Sequence, residues 1–351
     1  MREFSKSDIE QIDVYYNQIR TEFLGELPMN ELERIKKALM VAYDGHYGQM
    51  RKNKVDPYIV HPIAVAKIVR NEIGFGTDSV ICALLHDVVE DSGGLYTVKD
   101  IENLFGPHIA AVVDGLTKIT SQSNKIGSEQ QEILSAEQLF SLQKVIMNSS
   151  NDIRVIYIKI ADRLHNMRTL DGLGANSKLR KAGENTFFYS PFAARLGLYK
   201  IKQELEDASF KITNPQDYHV ISRMIEDVET ARDDAFENIK HKIEEKLKSE
   251  KIPIRVEYFR KSVYSVWKKM DKNQKPLDEI HNYRSIRIIF DSPSDKSMER
   301  RMVYMIYAEI TNIFQTQKDS LRDFIKLEKK NGFEAIVFDI MAKPPLEFVE
   351  I

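Results

Sequence analysis

The sequence predicts an α+β chain: an all-helical amino-terminal domain, a linker helix, and a smaller α/β domain with a mixed sheet. Three observations carry this. Through the first two hundred of 351 residues, apolar side chains recur at helical spacing. Ile225, Val228, Ala235, Ile239, Ile243 and Leu247 then fall at intervals of three and four residues or their sums, with charges between them, which describes one long amphipathic helix. From Ile252 onward, strand-like runs alternate with helical ones. The expected boundaries are 1–200, 201–250 and 251–351, the middle segment serving as a spacer.

Along the chain, Tyr58-Ile59-Val60 leads to His61, which precedes Pro62 and is therefore expected on extended backbone at a helix start. Pro62–Val69 supplies clustered apolar positions after a proline tolerated in the first turn. Thr77, Asp78 and Ser79 offer N-caps for a helix over Val80–Val89, closed by Ser92-Gly93-Gly94. Thr97–Phe105 and Ile109–Leu116 are short helices separated by Gly106-Pro107. Thr120–Gln131 is polar and predicts a mobile loop. Helical periodicity resumes at Ala136, runs through Ile153–Leu170 and returns over Thr186–Phe210. In the last hundred residues, Ile252–Tyr258, Arg284–Phe290, Phe333–Met341 and Leu346–Ile351 are strand candidates, the last two joined through Pro344-Pro345. Ser262–Lys272 and Ser297–Phe314 are helices.

Composition narrows the function. Lys and Arg number 51 against 53 Asp and Glu, a formal charge of −2, which is not the balance of a basic nucleic-acid binder. Cys82 is the single cysteine, so there is no internal disulfide framework and no Cys-rich zinc module. No apolar run approaches the roughly 18 residues needed to cross a bilayer, and the amino terminus lacks a signal-peptide core. The expectation is a cytoplasmic chain with neither membrane nor nucleic-acid partners through this stretch.

The chemistry concentrates in His86-Asp87-Val88-Val89-Glu90-Asp91. On a helix, His86 and Glu90 share one face, with Asp87 and Asp91 on the next stripe. Such groups following the apolar run VICALL are costly to bury unless a cation joins them; the bland reading is a solvated helix end. Two distant residues favour the cation. His61 stands at a helix start, and Asp162 follows the apolar run Val155–Ile160, with Asn166 and Thr169 on its face. A buried salt bridge from Asp162 to a neighbouring arginine is the structural alternative. Two histidines and two aspartates neutralise a divalent ion, and mixed nitrogen and oxygen donors suit Mn, Fe, Zn or Co better than Mg or Ca.

His61, His86-Asp87 and Asp162 follow the spacing of the HD metal-dependent phosphohydrolases. The longer strings PYIVHPIAVAKIV, ALLHDVVEDS, DGLTKIT, DIRVIYIKIADRLHNMRTL and SPFAARLGLYKIKQELED resemble the RelA/SpoT family, enzymes that make and destroy the alarmone (p)ppGpp. The resemblance runs from about residue 20 to the end, closely through residue 210 and loosely after 250. It implies one Mn²⁺ on His61, His86, Asp87 and Asp162, with Glu90 and Asp91 handling the water that attacks the 3′-diphosphate. Asn166 and Thr169 match nucleotide-contacting positions. Arg51 and Lys52 match the family's basic pair, suited to stacking on guanine and pairing with phosphate, although the loop Gln49–Asp56 departs from the family's pattern and is one residue longer. The implied partner is the small molecule (p)ppGpp. The expectation is that the family's carboxy-terminal regulatory domains are not included in this stretch.

The second half departs further from a working synthetase. Lys261–Met270 keeps a helix signature, but Tyr258 and Phe259 replace a Gly-Arg pair, and Asn282 stands where a magnesium-binding aspartate belongs. Asn331-Gly332 persists, followed by Phe333 for tyrosine, Ala335 for serine and Val337 for histidine; Glu347 could match a second acidic ligand. The expectation is a (p)ppGpp 3′-pyrophosphohydrolase with an inactive synthetase-like module that biases the hydrolase. Alternatives are a bifunctional enzyme, a nucleotide sensor without turnover, and an HD nuclease or dNTP hydrolase.

Overall fold

The computed structural model describes residues 4–25, 27–127, 152–170, 172–250, 252–274, 276–277, 284–291, 295–327, 333–342 and 348–351. By its contacts the chain divides into two units, Met1–Thr213 and Asn214–Ile351.

Among its described residues the first unit is built of helices joined by turns and loops, with no strand. α1 (Lys6–Ile19) opens on a capping box in which the Ser5 hydroxyl accepts from the Asp8 N–H and the Asp8 carboxylate accepts from the Ser5 N–H. There follow α2 (Met29–Gly45), α3 (Val60–Lys67), α4 (Thr77–Leu84), the single turn α5 (Val88–Asp91), α6 (Val98–Phe105) and α7 (Pro107–Gly127). After the undescribed 128–151 come α8 (Arg154–Arg168), α9 (Ala175–Glu184), α10 (Ser190–Arg195) and α11 (Tyr199–Thr213). Ile35, Leu39, Val65, Val80, Ile81, Leu84, Leu116, Ile158 and Leu164 are buried together and join α2, α3, α4, α7 and α8 into one core. Each contributes roughly 1.5–3 kcal/mol of apolar burial. Gly197, at φ 77°, turns the chain between α10 and α11, where a continuous helix was expected.

Other expectations change: the first helical residue of α4 is Thr77, on a Gly76 cap and not on Thr77, Asp78 or Ser79, and the strand expected over Phe333–Met341 is split into Ile336–Val337 and Asp339–Met341. α7 continues through Gly127, so the polar segment is helical over 120–127; residues 128–131, like the resumption at Ala136, lie outside the described residues. No proline or glycine interrupts Leu116–Ile126, so a helix nucleated on its packed first turns can propagate. His61 is the second residue of α3 and helical, not extended. The expected helix over Val80–Val89 stops at Leu84: Leu85, His86 and Asp87 form a turn before α5 begins at Val88. The His86 ring draws the chain back onto the Ala83 carbonyl there, and the Val88 N–H bonds the Leu85 carbonyl.

In the second unit α12 (Pro215–Ser249) is the long amphipathic helix, and it is not a bare spacer. Its Phe236, Ile239, Ile243 and Leu247 are buried in a core with Val256, Ile286, Ile306, Ile310, Phe338 and Ile340. The segment 201–250 is thus shared, because Ile201 and Leu205 of α11 belong to the first unit's core. β1 (Ile254–Arg260), α13 (Val263–Asn273), β2 (Arg284–Phe290), α14 (Lys296–Ile313), β3 (Arg322–Asp323), β4 (Ile336–Val337), β5 (Asp339–Met341) and β6 (Phe348–Glu350) follow. The main sheet has the order β1-β2-β6-β5; β6 runs parallel to β2 while the other pairs are antiparallel, a mixed sheet as expected. The Pro344-Pro345 connection lies outside the described residues. No helix among the described residues is long and apolar enough to cross a membrane.

Candidate active site

The first unit brings His61, His86 and Asp87 to one point, and Asp162 joins them through His61. α3 supplies His61, the α4–α5 turn supplies His86 and Asp87, and the middle of α8 supplies Asp162. His61 Nε2 lies 3.2 Å from Asp162 Oδ1 and 3.7 Å from Asp87 Oδ2, and His86 Nε2 lies 3.0 Å from that same Asp87 oxygen. Ligand atoms of His61, His86 and Asp87 all fall within 4.8 Å of one another, which makes this a possible metal site.

The donor set passes a chemical test for a cation. His86 Nδ1 is 2.7 Å from the Ala83 carbonyl, which can only accept, so Nδ1 carries the hydrogen. The buried Nε2 then aims a lone pair, or an added proton, at a carboxylate, and it makes no hydrogen bond of acceptable geometry. The facing pair at 3.0 Å is relieved by a bound cation or by a proton on Nε2: burial would lower the His86 pKa, but Asp87 outweighs it and raises it. The same fixing of a ligand histidine through its second nitrogen is available at His61, whose Nδ1 is 2.8 Å from His165 Nδ1. His165 thus acts on His61 from behind. Burial, then the neighbouring His61, pushes His165 down to about 3, so it remains neutral.

Around this centre lie groups that sequence reasoning missed. Lys159 is 5 % exposed, with Nζ 3.9 Å from Asp162 Oδ2. Burial alone would depress its pKa, yet Asp162 and Asp87 outweigh that and raise it. It offsets part of the negative charge from the side of Asp162 away from His61. One helical turn back from Asp162, it was visible only as a break in the apolar run VIYIKI. Tyr58 donates from its hydroxyl to Asp87 Oδ2 at 2.8 Å and lies 3.4 Å from Asp91 Oδ2. Nothing in its spacing announced this bridge.

Asp91 is held from a second direction by Gln49, which donates to its backbone carbonyl at 2.7 Å and takes a bond from His46. Burial, then the charge of Asp87, lifts the Asp91 carboxyl above the ordinary aspartate range. Glu90 stands half-buried on the same turn, close enough to Lys159 to help raise that ammonium.

The remaining sequence-predicted residues form one face beside the centre. Arg51 donates to Thr169 Oγ1 at 3.1 Å and to Asn166 Oδ1 at 3.4 Å, and Asn166 in turn donates to Asp162 Oδ1 at 2.6 Å. Lys52 is exposed and outside that chain of bonds. Its charge reaches Lys181 on α9, which burial, then Arg163 and Lys52 among its neighbours, push down to about 8. Arg51, Lys52 and Lys181 therefore place positive charge beside the carboxylates of this centre, an arrangement suited to a polyanion.

In the second unit, four of the departures noted in the sequence gather in one place. Phe259, Phe333, Ala335 and Val337 line a single cavity of about 430 Å³, together with Arg287 and Glu350. The Arg287 guanidinium lies 3.4 Å from the centroid of the Phe259 ring, and Arg284 packs on Tyr258 and Phe236. Asn282, Asn331-Gly332 and Glu347 fall outside the described residues.

Two family models match the chain, one described as the HD domain over residues 38–199 and one as a region found in RelA / SpoT proteins over residues 259–351. The chain is similar to the bifunctional (p)ppGpp synthase/hydrolase SpoT of Escherichia coli K12, with 34% identity over 310 residues, covering 88% of this chain and 42% of that one. It is similar to a guanosine-3′,5′-bis(diphosphate) 3′-pyrophosphohydrolase of Haemophilus influenzae, with 33% identity over 297 residues, covering 85% and 41%. A GTP pyrophosphokinase of Myxococcus xanthus shares 34% over 324 residues, covering 92% and 41%. The chain spans about two fifths of the length of these relatives.

Proposed function

Because the chain belongs to the RelA/SpoT family, we propose that its first unit is a manganese-dependent guanosine-3′,5′-bis(diphosphate) 3′-pyrophosphohydrolase, working in the cytoplasm on (p)ppGpp. The observation that supports this reading is the convergence of His61, His86 and Asp87, with Asp162 3.2 Å from His61 Nε2. His61, His86, Asp87 and Asp162 would hold one Mn²⁺. When bound, the ion supplies Lewis acidity toward the phosphoryl oxygens and makes water acidic enough to attack near neutral pH.

The chain's own residues do the rest. Asp91 or Glu90 takes the proton from the attacking water. The water oxygen bonds to the phosphorus attached to O3′, the O3′–P bond breaks, and O3′ leaves to recover a proton from solvent. The products are pyrophosphate and GDP or GTP. Asn166 and Thr169 orient the nucleotide, and Arg51 and Lys52 hold its base and phosphates. Incubation with ppGpp and Mn²⁺ should release pyrophosphate, and a chelator should stop it. No release under saturating metal would defeat the reading.

The pH–rate profile examines the proton acceptor. Asp91's carboxyl is raised by burial and by Asp87, so its basic form accumulates only above the ordinary aspartate range. The rate should therefore climb with pH through that value, the bound cation pulling the midpoint down. Asp91→Asn should remove this limb; a limb unchanged in both Asp91→Asn and Glu90→Gln would show that neither carboxylate is the base.

For the second unit we propose that phosphoryl transfer has been lost, its module acting on the hydrolase as a regulatory partner. The support is the cavity re-lined by Phe259, Phe333, Ala335 and Val337, with Arg287 engaged on Phe259. Purified protein given ATP and GDP should form no AMP; measurable AMP together with ppGpp would restore the bifunctional reading.

A further inference from the structure

The basic loop between Met50 and Pro57 is closed by backbone bonds from Arg51 N to the Asp56 carbonyl and from Lys54 N to the Arg51 carbonyl, both 2.8 Å. Asn53 stiffens it further: its Oδ1 accepts from the N–H groups of Val55 and Asp56, and its Nδ2 donates to Asp56. The loop meets the turn that follows α8 at two points. One is the Arg51 side chain on Thr169. The other is pure backbone: a Cβ built on Gly172 would lie 2.9 Å from Asn53 N, 3.0 Å from Asn53 Cα and 3.1 Å from the Lys52 carbonyl carbon. These are chain atoms and cannot swing aside as a flexible side chain would. Gly172 also lies outside the left-handed region, so alanine there is excluded by contact and not by conformation.

We infer that Gly172 is a positioning residue for nucleotide recognition: by having no side chain, it lets the turn after α8 seat the Lys52–Asn53 backbone and so sets Arg51 and Lys52 in place before substrate arrives. This deepens the proposed function and rests on its assignment of Arg51 and Lys52 to the nucleotide. A stiff loop displaced at Asn53 carries Arg51 with it, away from Thr169 and Asn166, while the ligand cluster on α3, the α4–α5 turn and α8 is left as it was. The cost then falls on binding and spares the chemical step.

The experiment compares Gly172→Ala with Gly174→Ala in the full chain. Gly174 sits in the same turn, and a Cβ there meets nothing within 4 Å. With ppGpp and Mn²⁺, Gly172→Ala should raise KM about ten- to a hundredfold, the scale of losing one charge-assisted contact to the nucleotide, while kcat and Mn²⁺ affinity stay within about twofold. Gly174→Ala should match wild type. Asn53→Ala, which loosens the loop without the clash, should raise KM in the same direction. Tryptic cleavage after Lys52 and Lys54 reads the loop without any substrate and should quicken in Gly172→Ala. An unchanged KM in Gly172→Ala overturns the inference, as does a parallel loss of kcat and metal affinity. Unchanged cleavage overturns the seating itself. If wild type releases no pyrophosphate from ppGpp, the hydrolase reading has failed, and the cleavage rates still decide whether Gly172 seats the loop.

Discussion

Asp87→Ala is expected to lower kcat for ppGpp hydrolysis by about a thousandfold or more, the equivalent of several kcal/mol of transition-state charge stabilisation. One oxygen, Asp87 Oδ2, faces His86 Nε2 at 3.0 Å, His61 Nε2 at 3.7 Å and the Tyr58 hydroxyl at 2.8 Å. Removing it takes a negative charge from the proposed ion and the acceptor from Tyr58 together. The fold should survive, because the backbone of residue 87 still accepts from the Asp91 N–H at 2.8 Å and keeps α5 closed. The discriminating measurement is thermal unfolding with and without Mn²⁺. Ligand binding stabilises wild type by about 2.7 kcal/mol at a hundredfold excess over Kd, and the variant should show none of it. Wild-type stabilisation by Mn²⁺ in Asp87→Ala would remove this residue from the metal site.

The second large effect is on stability. Arg163, next to Asp162 on α8, is 8 % exposed and pairs with Glu184 at the end of α9, its guanidinium 4.3 Å from the Tyr189 ring centroid. Arg163→Met should cost about 3–5 kcal/mol, since it leaves a carboxylate in a nearly dry site; Arg180 approaches Glu184 only to 3.8 Å and from an exposed position. In a unit of this size that lowers Tm by roughly 6–20 °C. Arg163→Met/Glu184→Leu should recover most of the loss, and a double variant as unstable as the single one would show that the arginine's packing, not its charge, matters.

The pH dependence of this pair has a definite sign. Burial would raise the Glu184 carboxyl, but the Arg163 charge and hydrogen bond hold it below the ordinary glutamate value of 4.5. The folded value is the depressed one, so the contribution is whole above the unfolded value and is lost as pH falls through the folded value. Between pH 5 and 3 the wild-type Tm should drop more steeply than that of Glu184→Gln.

The metal-ligand candidates were legible because each rides on a local signal: a histidine before proline, a His-Asp pair after an apolar run, an aspartate interrupting another. Their convergence follows from α3, α4 and α8 packing through the same apolar faces. The α+β fold class was equally legible from the change of periodicity near Ile252, but the chain divides after Thr213, because the long helix packs into the second unit's core. Local periodicity failed where the third dimension decides. The helical spacing of His86 and Glu90 pointed to a shared face, but the chain turns at Leu85–Asp87 because His86 bonds the carbonyl behind it. Tyr58 and Lys159 gain their importance from partners 29 and 3 residues away, and only the second of these was within reach of a spacing argument.

The Tyr58 hydroxyl leans on the carboxylate proposed to grip the ion and on the one proposed to accept the proton. Substitutions at the two aspartates should therefore combine non-additively, and removing that phenol should uncouple them. A laboratory selection for firmer manganese retention would drag the enzyme's acidity profile along with it, and the two traits could be bred apart only after this tyrosine had been replaced.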